Sequence, residues 1–437
     1  MPYRDLVEQK GPYIYLLYGL GALLSETSYH GVFVVEAISA TMLWYWVYKT
    51  QRLFIGKDTA LFCVPLCAYA FYTSPAYIAG SAEELLLPCL GFTLYSLCKL
   101  FDEPTIYASG KEWLVNGVLA SILFWSKFNL CGFYIAYAAT VAFLQWKAKG
   151  LRGAVVCLGI FAGGCILASI PVILYFGCNH AFSDLWNIYI IMNLTYYPYI
   201  GNINSRIVHL FTLIVHRWMY FRPIFIGSVA CLIGLLLSVR EWRFHFPVIL
   251  LFMGFGYIGI YWGGLDFDYY YFPFALFIPL SLAVWVHVLH RVTLYLKKRK
   301  ALRVVPAVSN HIKRFACILC AGVLLVNVWQ LNKWEIRNQG TPSAVETVGQ
   351  IIAENSSETL LNYGSLDIGV YMTSGILPSE KYFCRLNLYS TEMNREQDRY
   401  IVEGTVEYVV APVNIPLPVN THYTLQSVVG DIALYRK

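Results

Sequence analysis

The stretch GAVVCLGIFAGGCILASIPVILYFG, residues 153–177, contains 25 consecutive residues without a charged side chain. Roughly 20 apolar residues in a helix cross the hydrocarbon core of a bilayer, so this stretch is long enough to span it. The rest of the chain has a similar character, since 58% of its 437 residues are hydrophobic and only 13% are charged. A soluble domain carries about a quarter charged residues. The sequence therefore predicts a polytopic integral membrane protein, mainly α-helical.

Apolar runs of this kind predict a bundle of about ten membrane-spanning helices. The count is approximate because 112–126 and 130–146 could also form one long kinked span. The apolar segment Tyr13–Leu24 is too short to span comfortably, and we interpret it as an interfacial or re-entrant juxtamembrane helix. The candidate spans are residues 30–48, 58–75, 82–99, 112–126, 130–146, 153–177, 222–238, 245–261, 270–290 and 315–331.

The distribution of basic residues predicts the orientation of these spans. If the first span runs from outside to inside, the inside loops hold eighteen Lys and Arg residues, with the largest group at 290–314. The outside loops 76–81 and 262–269 hold none. Positively charged loops stay in the cytoplasm, so both termini are expected outside. An outside N-terminus needs a signal or an upstream helix, and residues 1–12 supply neither, so we expect one N-terminal helix to be missing.

The composition turns polar after residue 331, which predicts two domains. Residues 1–331 are expected to form the transmembrane domain, with 1–29 as a juxtamembrane outer loop, and residues 332–437 a small soluble α/β domain outside the cytoplasm. Helical spacing occurs in TPSAVETVGQIIAENS and STEMNREQDRYIVEG, whereas TLLNY, VEYVVAP and DIALYRK are typical of strands.

The charge and cysteine patterns argue against a nucleic-acid-binding protein and against a disulfide-stabilised one. The formal net charge of +6 is not clustered as a nucleic-acid-binding surface would be. Nearly all of the 12 cysteines lie in apolar runs, without a CxxC array or disulfide framework. Only Cys178 and Cys384 fall in predicted outside segments, and a bond between them is not the favoured interpretation.

Ionisable residues at membrane depth are costly, so each is a candidate functional group. The plainer interpretations are that Glu83 and Glu84 begin a helix, that Lys127 reaches the membrane interface, and that Asp266 and Asp268 are solvated loop acids. The charged groups nevertheless gather on the predicted outer side. Four clusters hold them, namely PYRDLVEQKGPYIY (2–15), GSAEELLLP (80–88), WSKFNLCG (125–132) and GGLDFDYYYFP (263–273).

These residue types suit a transferase that uses a lipid-phosphate sugar donor. Such an enzyme needs a cation near the phosphate, where negative charge builds on the leaving group, and a carboxylate to deprotonate the acceptor hydroxyl. The candidate catalytic carboxylates are Asp5, Glu83 and Glu84, the candidate cations for the donor phosphate are Arg4, Lys10 and Lys127, and the candidate substrate-binding residues are Asn129, Asp266, Asp268 and Tyr270.

Several of these blocks resemble the bacterial GT-C-type membrane glycosyltransferases, the group that includes protein O-mannosyltransferases and the lipid A aminoarabinose transferase. PYRDLVEQKGPYIYLLYGLGALL resembles their first outer loop, GSAEELLLPCLGFTLYSL a later acidic block, and SKFNLCG a Lys-x-Asn turn in which Phe128 replaces the usual Pro. LNYGSLDIGVYMTSGILPSEKYF resembles the exterior domain of some members.

The resemblance implies transfer of a sugar from a polyprenyl-phosphate carrier to an acceptor outside the cytoplasm, in the plasma membrane. In that family a first transmembrane helix with an acidic motif precedes the Tyr-Arg-Asp block, and the sequence lacks both. The resemblance therefore implies either that the start codon is misassigned or that the protein is a truncated, inactive relative. Two alternatives stay open, a transporter or flippase for lipid-linked sugars and a non-catalytic membrane assembly protein. The cofactor is equally open, between none and a divalent cation.

Overall fold

The computed structural model of the chain describes eleven continuous stretches and three isolated residues (322, 325 and 329). The stretches are residues 1–26, 28–74, 76–100, 109–195, 202–217, 220–238, 244–298, 342–355, 359–387, 390–419 and 421–437. The predicted tenth span at 315–331 therefore lies almost wholly outside the described residues, as does most of the basic loop at 290–314.

Most of the described chain is helical, and a small sheet lies near the C-terminus. This confirms the predicted fold class, a polytopic membrane helix bundle with a small α/β fold. The helices are α1 (Pro12–Ala22), α2 (His30–Ile55), α3 (Lys57–Tyr72), α4 (Ala82–Lys99), α5 (Gly110–Lys127), α6 (Gly132–Cys178), α7 (Ile203–Arg217), α8 (Arg222–Leu237), α9 (His245–Tyr261), α10 (Phe277–Lys298), α11 (Ala344–Glu354), α12 (Val370–Ser374) and α13 (Thr391–Glu403).

Helix α6 joins two of the predicted spans, 130–146 and 153–177, in one element. Gly150 breaks it with φ 69° and ψ −168°, a conformation that residues with a side chain rarely adopt. The break falls between the two predicted spans. Before α6, a 3₁₀ turn at Phe128–Cys131 separates it from α5, and the helical stretch runs through this turn from Gly110 to Cys178. Two spans and one long kinked span therefore both stay open for residues 112–146.

Three helical stretches of the described chain are by themselves long and apolar enough to cross a membrane. They are His30–Ile55, Gly110–Cys178 and Asp268–Leu296. Helices α7 and α8 would together make a fourth, bent by 108°. The 69-residue stretch from Gly110 to Cys178 contains three of the predicted spans, and the shorter helices α3, α4, α8 and α9 correspond to four more.

The chain divides into two compact units. The first, which we call the mixed unit, consists of Met1–Val35, Ile170–Ile200 and Asn338–Lys437. The second, the bundle unit, consists of Glu36–Ser169 and Gly201–Arg337.

The mixed unit contains a four-stranded sheet in the order β1-β2-β4-β3. Its strands are β1 (Leu360–Asn362), β2 (Tyr408–Pro412), β3 (Thr424–Val429) and β4 (Ile432–Arg436). Strand β1 runs parallel to β2, and the other pairs are antiparallel. Consecutive side chains of a strand point to opposite faces. Accordingly Val410 packs in a core with α11 and α12, and Val409 in a second core with α13.

Glycines allow α1 and α2 to approach closely within the mixed unit. A Cβ added to Gly31 would lie 1.8 Å from the carbonyl oxygen of Gly21, and one added to Gly21 would lie 3.0 Å from the backbone of Gly31. The structure has a helix, α1, where the sequence predicted one at Tyr13–Leu24, and its juxtamembrane position stays a prediction. Cys178 and Cys384 are both free thiols, the first exposed and the second buried.

Candidate functional site

The acidic pair at the start of α4 divides between two roles. Ser81 is the N-cap residue, and its hydroxyl accepts a hydrogen bond from the backbone N–H of Glu84 at 3.2 Å. The Glu84 carboxylate accepts one from the backbone N–H of Gly80 at 2.9 Å. The first bond satisfies an N–H group that a helix start leaves without an intrahelical partner, and the second holds the residue just before the N-cap. Glu84 therefore stabilises the start of α4, as the plainer interpretation predicted. The Glu83 side chain takes part in neither of these bonds.

Glu83 forms a buried ion pair with Lys127, the last residue of α5. The Lys127 ammonium donates to Oε1 of Glu83, and the two side chains are only 9% and 2% exposed. The same ammonium lies 4.8 Å from the ring centroid of Tyr269 and 4.4 Å from that of Tyr270, within cation–π range. Three of the predicted site residues, Glu83, Lys127 and Tyr270, are thus brought together. We call Glu83, Lys127, Tyr269 and Tyr270 the lysine centre.

Asn129 lies two residues beyond Lys127, in the 3₁₀ turn. A Cβ added to Gly259 would lie 2.7 Å from the backbone carbonyl oxygen of Asn129, so this turn packs closely on α9. The Oδ1 atom of Asn129 is buried and has no hydrogen-bond partner in the described structure.

Asp266 and Asp268 bind Arg217, the last residue of α7. Nε of Arg217 donates to Oδ2 of Asp266 at 2.5 Å, and one terminal nitrogen donates to Oδ1 of Asp268 at 3.2 Å. The Asp266 carboxylate is 16% exposed and the Asp268 carboxylate 43% exposed. They are therefore paired acids rather than freely solvated ones. No local sequence pattern indicates this pairing, because 49 residues separate Arg217 from Asp266.

Arg4 and Asp5 contact other parts of the mixed unit. The Arg4 guanidinium donates to Asp184 at 3.1 Å and to the backbone carbonyl oxygens of Asn179 and His180. The Asp5 carboxylate accepts a hydrogen bond from the N-terminal amine, and this bond lowers the pKa of Asp5. A carboxylate with a lowered pKa is a weaker base, and the contacts of Arg4 favour a structural role for that residue.

Lys10 lines a cavity of about 500 Å³ in the mixed unit, a volume typical of small-molecule sites. The Glu8 carboxylate accepts hydrogen bonds from the backbone N–H groups of Gln9, at 2.7 Å, and Lys10, at 3.3 Å. Tyr3 donates to the backbone carbonyl oxygen of Lys10 at 2.6 Å. The backbone of Lys10 is therefore held on both sides. The cavity is lined by Met1, Pro2, Leu6, Glu8, Lys10, Ile14, Tyr15, Tyr18, Asp367 and Phe383.

Asp367 is a lining residue that the sequence analysis did not single out. Its side chain opens to solvent, yet the protein atoms packed around the carboxyl desolvate it and raise its pKa. A hydrogen bond of 2.9 Å from the backbone N–H of Gly369 opposes this shift in part. Asp367 lies in the quoted LNYGSLDIG block, and its position after strand β1 was the only sequence signal available.

The predicted site residues thus fall into the two compact units. The mixed unit contains Arg4, Asp5 and Lys10, and the bundle unit contains the other seven. Among the residues that the structure describes, no group of three His, Cys, Asp or Glu side chains could hold a metal ion.

Comparisons with known proteins bear on the same residues. Residues 9–175 match the family model described as dolichyl-phosphate-mannose-protein mannosyltransferase. The crystal structure of ArnT from Cupriavidus metallidurans in the apo state is similar at a TM-score of 0.54 and 13% identity, over 98% of this chain and 88% of that one. The structure of ArnT bound to undecaprenyl phosphate gives 0.53 and 14%, over 98% and 87%. No curated protein sequence matches the chain.

Together these matches confirm the resemblance to GT-C-type membrane glycosyltransferases on which the sequence analysis drew. At 13–14% identity the solved structures establish the fold alone. The family match begins at residue 9, so it covers Lys10, the acidic pair of α4 and the Lys127 turn, but not Arg4, Asp5 or Glu8.

Proposed function

We propose that the chain is a plasma-membrane glycosyltransferase that moves a sugar from a polyprenyl-phosphate-linked donor to an acceptor outside the cytoplasm. The observation that carries this proposal is Lys10 at the wall of a cavity of about 500 Å³ with two carboxylates, Glu8 and Asp367, in its lining. The family match over residues 9–175 supports the reaction class. One of the similar ArnT structures was solved with undecaprenyl phosphate bound, which supports this type of carrier.

The reaction breaks the bond between the sugar C1 and the phosphate oxygen and forms a bond between C1 and the acceptor oxygen. The polyprenyl phosphate leaves with the electron pair, and the acceptor hydroxyl loses its proton. Negative charge therefore builds on the phosphate while a proton must be removed on the acceptor side. Any site for this reaction needs a fixed cation beside the phosphate and a carboxylate whose pKa lets it accept the proton of the acceptor hydroxyl.

Lys10 is the cation that we assign to the donor phosphate in this cavity. Its ammonium has three donors, and its backbone is fixed by the hydrogen bond that its N–H donates to Glu8 and the one that its carbonyl oxygen accepts from Tyr3. We favour Lys10 over Lys127 because a ligand phosphate can reach the cavity of Lys10 without first separating an ion pair such as that between Lys127 and Glu83. Lys127, in the bundle unit, stays the second proposed cation for the donor, with Glu83 compensating its charge.

Asp367 is the carboxylate that we assign to the acceptor proton. A raised pKa brings a carboxylate closer to the operating pH and makes it a stronger base than an ordinary aspartate. This differs from the sequence prediction, which named Asp5, Glu83 and Glu84. In the structure, Asp5 binds the terminal amine, Glu84 binds the start of α4, and Glu83 binds Lys127.

The proposal is tested by lipid binding with the whole chain reconstituted in nanodiscs. Undecaprenyl phosphate is the probe, and undecaprenol, which lacks the phosphate, is its control. We expect the Lys10→Gln variant to bind undecaprenyl phosphate about tenfold more weakly or worse, since a hydrogen bond to a charged group contributes about 1.5–3 kcal/mol. Lys111→Gln, at an exposed position of α5, is the matched control and should bind like wild type.

A direct assay follows the sugar. Undecaprenyl-phosphate-linked mannose, glucose and 4-amino-4-deoxyarabinose, each with a radiolabelled sugar, would be supplied with an outer-membrane or wall-glycan extract. Transfer of label by wild type, with loss in Lys10→Gln and Asp367→Asn, is the expected result. Equal affinity of wild type for undecaprenyl phosphate and undecaprenol would contradict the proposal.

A further inference from the structure

Residues 266–271, which we call the aromatic loop, contact two charged residues from different helices. Asp266 and Asp268 bind Arg217 at the end of α7, and Tyr269 and Tyr270 place their rings against the Lys127 ammonium. All of these residues belong to the bundle unit. The acids that bind Arg217 lie within four residues of the rings that cover Lys127.

The aromatic rings inside the loop pack directly against one another. The rings of Phe267 and Tyr269 are parallel within 2°, with centroids 5.5 Å apart. Tyr270 meets both edge-on, at 5.3 Å from Phe267 and 5.0 Å from Tyr269. Such offset and edge-on pairs are favourable arrangements for aromatic rings. A displacement at Asp266 would therefore carry through Phe267 to the rings that cover Lys127.

Arg217 is suited to fix this loop because its planar guanidinium makes several bonds in set directions. It contacts the carboxylates of Asp266 and Asp268 and, at 3.5 Å, the backbone carbonyl oxygen of Asp266. The network is partly buried, with the Arg217 side chain 31% exposed. Networks of this kind are stronger than isolated surface pairs.

Helix α7 also contacts α9 and Trp262, which precede the aromatic loop in the chain. Tyr257 of α9 donates to the backbone carbonyl oxygen of Leu210 at 2.7 Å, and Arg206 lies 5.5 Å from the centroid of the Trp262 ring. Helix α7 is therefore held at Arg206, Leu210 and Arg217. Of these three residues, Arg217 is the one that contacts the acids of the aromatic loop.

We infer that Arg217 is a positioning residue for Lys127. It holds the aromatic loop through Asp266 and Asp268, and the loop keeps Tyr269 and Tyr270 over the ammonium that Glu83 neutralises. The consequence for lipid binding rests on the proposed function of Lys127, whereas the positional claim does not. The acids that the sequence analysis assigned to substrate are, in this account, the attachment points of the loop.

Lysine acylation tests the positional claim without any assumption about substrate. The chain is reconstituted in nanodiscs of phosphatidylethanolamine and phosphatidylglycerol and treated with acetic anhydride, and the acylation rate of each lysine is measured by mass spectrometry. In wild type we expect Lys127 to react much more slowly than the exposed Lys111. In Arg217→Gln and Asp266→Asn the Lys127 rate should rise about fivefold or more, the factor that corresponds to about 1 kcal/mol, while the Lys111 rate stays constant.

Two further variants serve as controls for the acylation measurement. Arg217→Lys retains the charge but not the fork of donors, so its Lys127 rate should fall between those of wild type and Arg217→Gln. Arg206→Gln removes a cation from the same helix without touching the aromatic loop and should leave the Lys127 rate unchanged. An unchanged Lys127 rate in Arg217→Gln, or an equal rise in Arg206→Gln, would overturn the inference.

Lipid binding separates this inference from the proposed function. If Lys127→Gln and Arg217→Gln both weaken undecaprenyl phosphate binding, with Arg217→Gln the weaker effect, both proposals are supported. If Lys127→Gln weakens binding and Arg217→Gln does not, Arg217 is not a positioning residue for that function. If wild type does not bind the lipid, the proposed function fails, and the acylation rates still decide whether Arg217 positions Lys127.

Discussion

Lys127 donates a hydrogen bond to Glu83 from the end of one helix to the start of another, and both side chains are almost fully buried. Removing one partner of such a pair leaves an uncompensated charge in a poorly solvated position. The pair is therefore a strong constraint on the packing of α4 against α5, whatever its part in binding a ligand.

Glu83→Gln and Lys127→Gln should each destabilise the protein by about 3–5 kcal/mol, because each leaves the other charge buried without its partner. Unfolding by SDS from mixed micelles measures the change. The double variant should cost less than the sum of the two single variants, since the residues are in direct contact. Strict additivity would show that the two side chains do not interact.

Arg4→Gln should reduce stability and leave the affinity for undecaprenyl phosphate unchanged. The guanidinium is occupied by Asp184 and by two carbonyl oxygens of the turn before it, and an exposed ion pair of this kind contributes at most about 1 kcal/mol. Thermal unfolding and lipid titration on the same sample separate the two effects. A loss of affinity at unchanged stability would return Arg4 to the phosphate-binding role that the sequence suggested.

The pKa of Asp367 predicts a pH-dependent effect on stability. The protein atoms around the carboxyl desolvate it and raise this pKa although the side chain opens to solvent, so the folded chain holds the proton more tightly than the unfolded chain. Stability is then lost as the pH rises from the ordinary aspartate value through the raised folded value. Asp367→Asn should raise the melting temperature at neutral pH and have little effect below the ordinary pKa of aspartate. Stabilisation that is equal at all pH values would contradict a raised pKa.

Gly31→Ala should disrupt the crossing of α1 and α2. The added Cβ would meet the carbonyl oxygen of Gly21 at 1.8 Å, and backbone atoms cannot give way easily. Gly19→Ala is the matched control, since nothing lies within 4 Å of its Cβ and Ala is favoured over Gly in a helix by about 1 kcal/mol. The melting temperature should fall for Gly31→Ala and not for Gly19→Ala. Equal effects would mean that the two helices do not pack as described.

Hydropathy and capping patterns predicted much of this fold. Nine of the ten predicted spans have helical counterparts in the described residues, because an apolar run long enough to span has few alternatives in a bilayer. In the C-terminal part, the helices at 344–354 and 391–403 and three of the four strands were also predicted.

The elements that the sequence did not reveal have weaker patterns. Helix α7 was missed because its apolar residues occupy one face and polar ones such as Arg206 and His209 interrupt the run. Strand β3 was missed because most of its side chains are exposed and give no alternating apolar signal. A π-helical segment, Leu185–Met192, likewise lies in what the sequence predicted as an outer stretch.

The candidate site was predicted in its residue types but not in its contacts. Ion pairs such as Arg217 with Asp266 join residues far apart in sequence, and no local pattern specifies them. Asp367 was overlooked because an isolated loop aspartate looks like any solvated acid until its neighbours are known. Its raised pKa comes from those neighbours.

The central claim is that Lys10 binds the phosphate of a polyprenyl carrier in the cavity of the mixed unit. Titration of wild type and Lys10→Gln with undecaprenyl phosphate and undecaprenol in nanodiscs tests it most directly. We predict that wild type prefers the phosphorylated lipid and that Lys10→Gln loses this preference, with Lys111→Gln unaffected. Retention of the full preference in a folded Lys10→Gln variant would contradict the account.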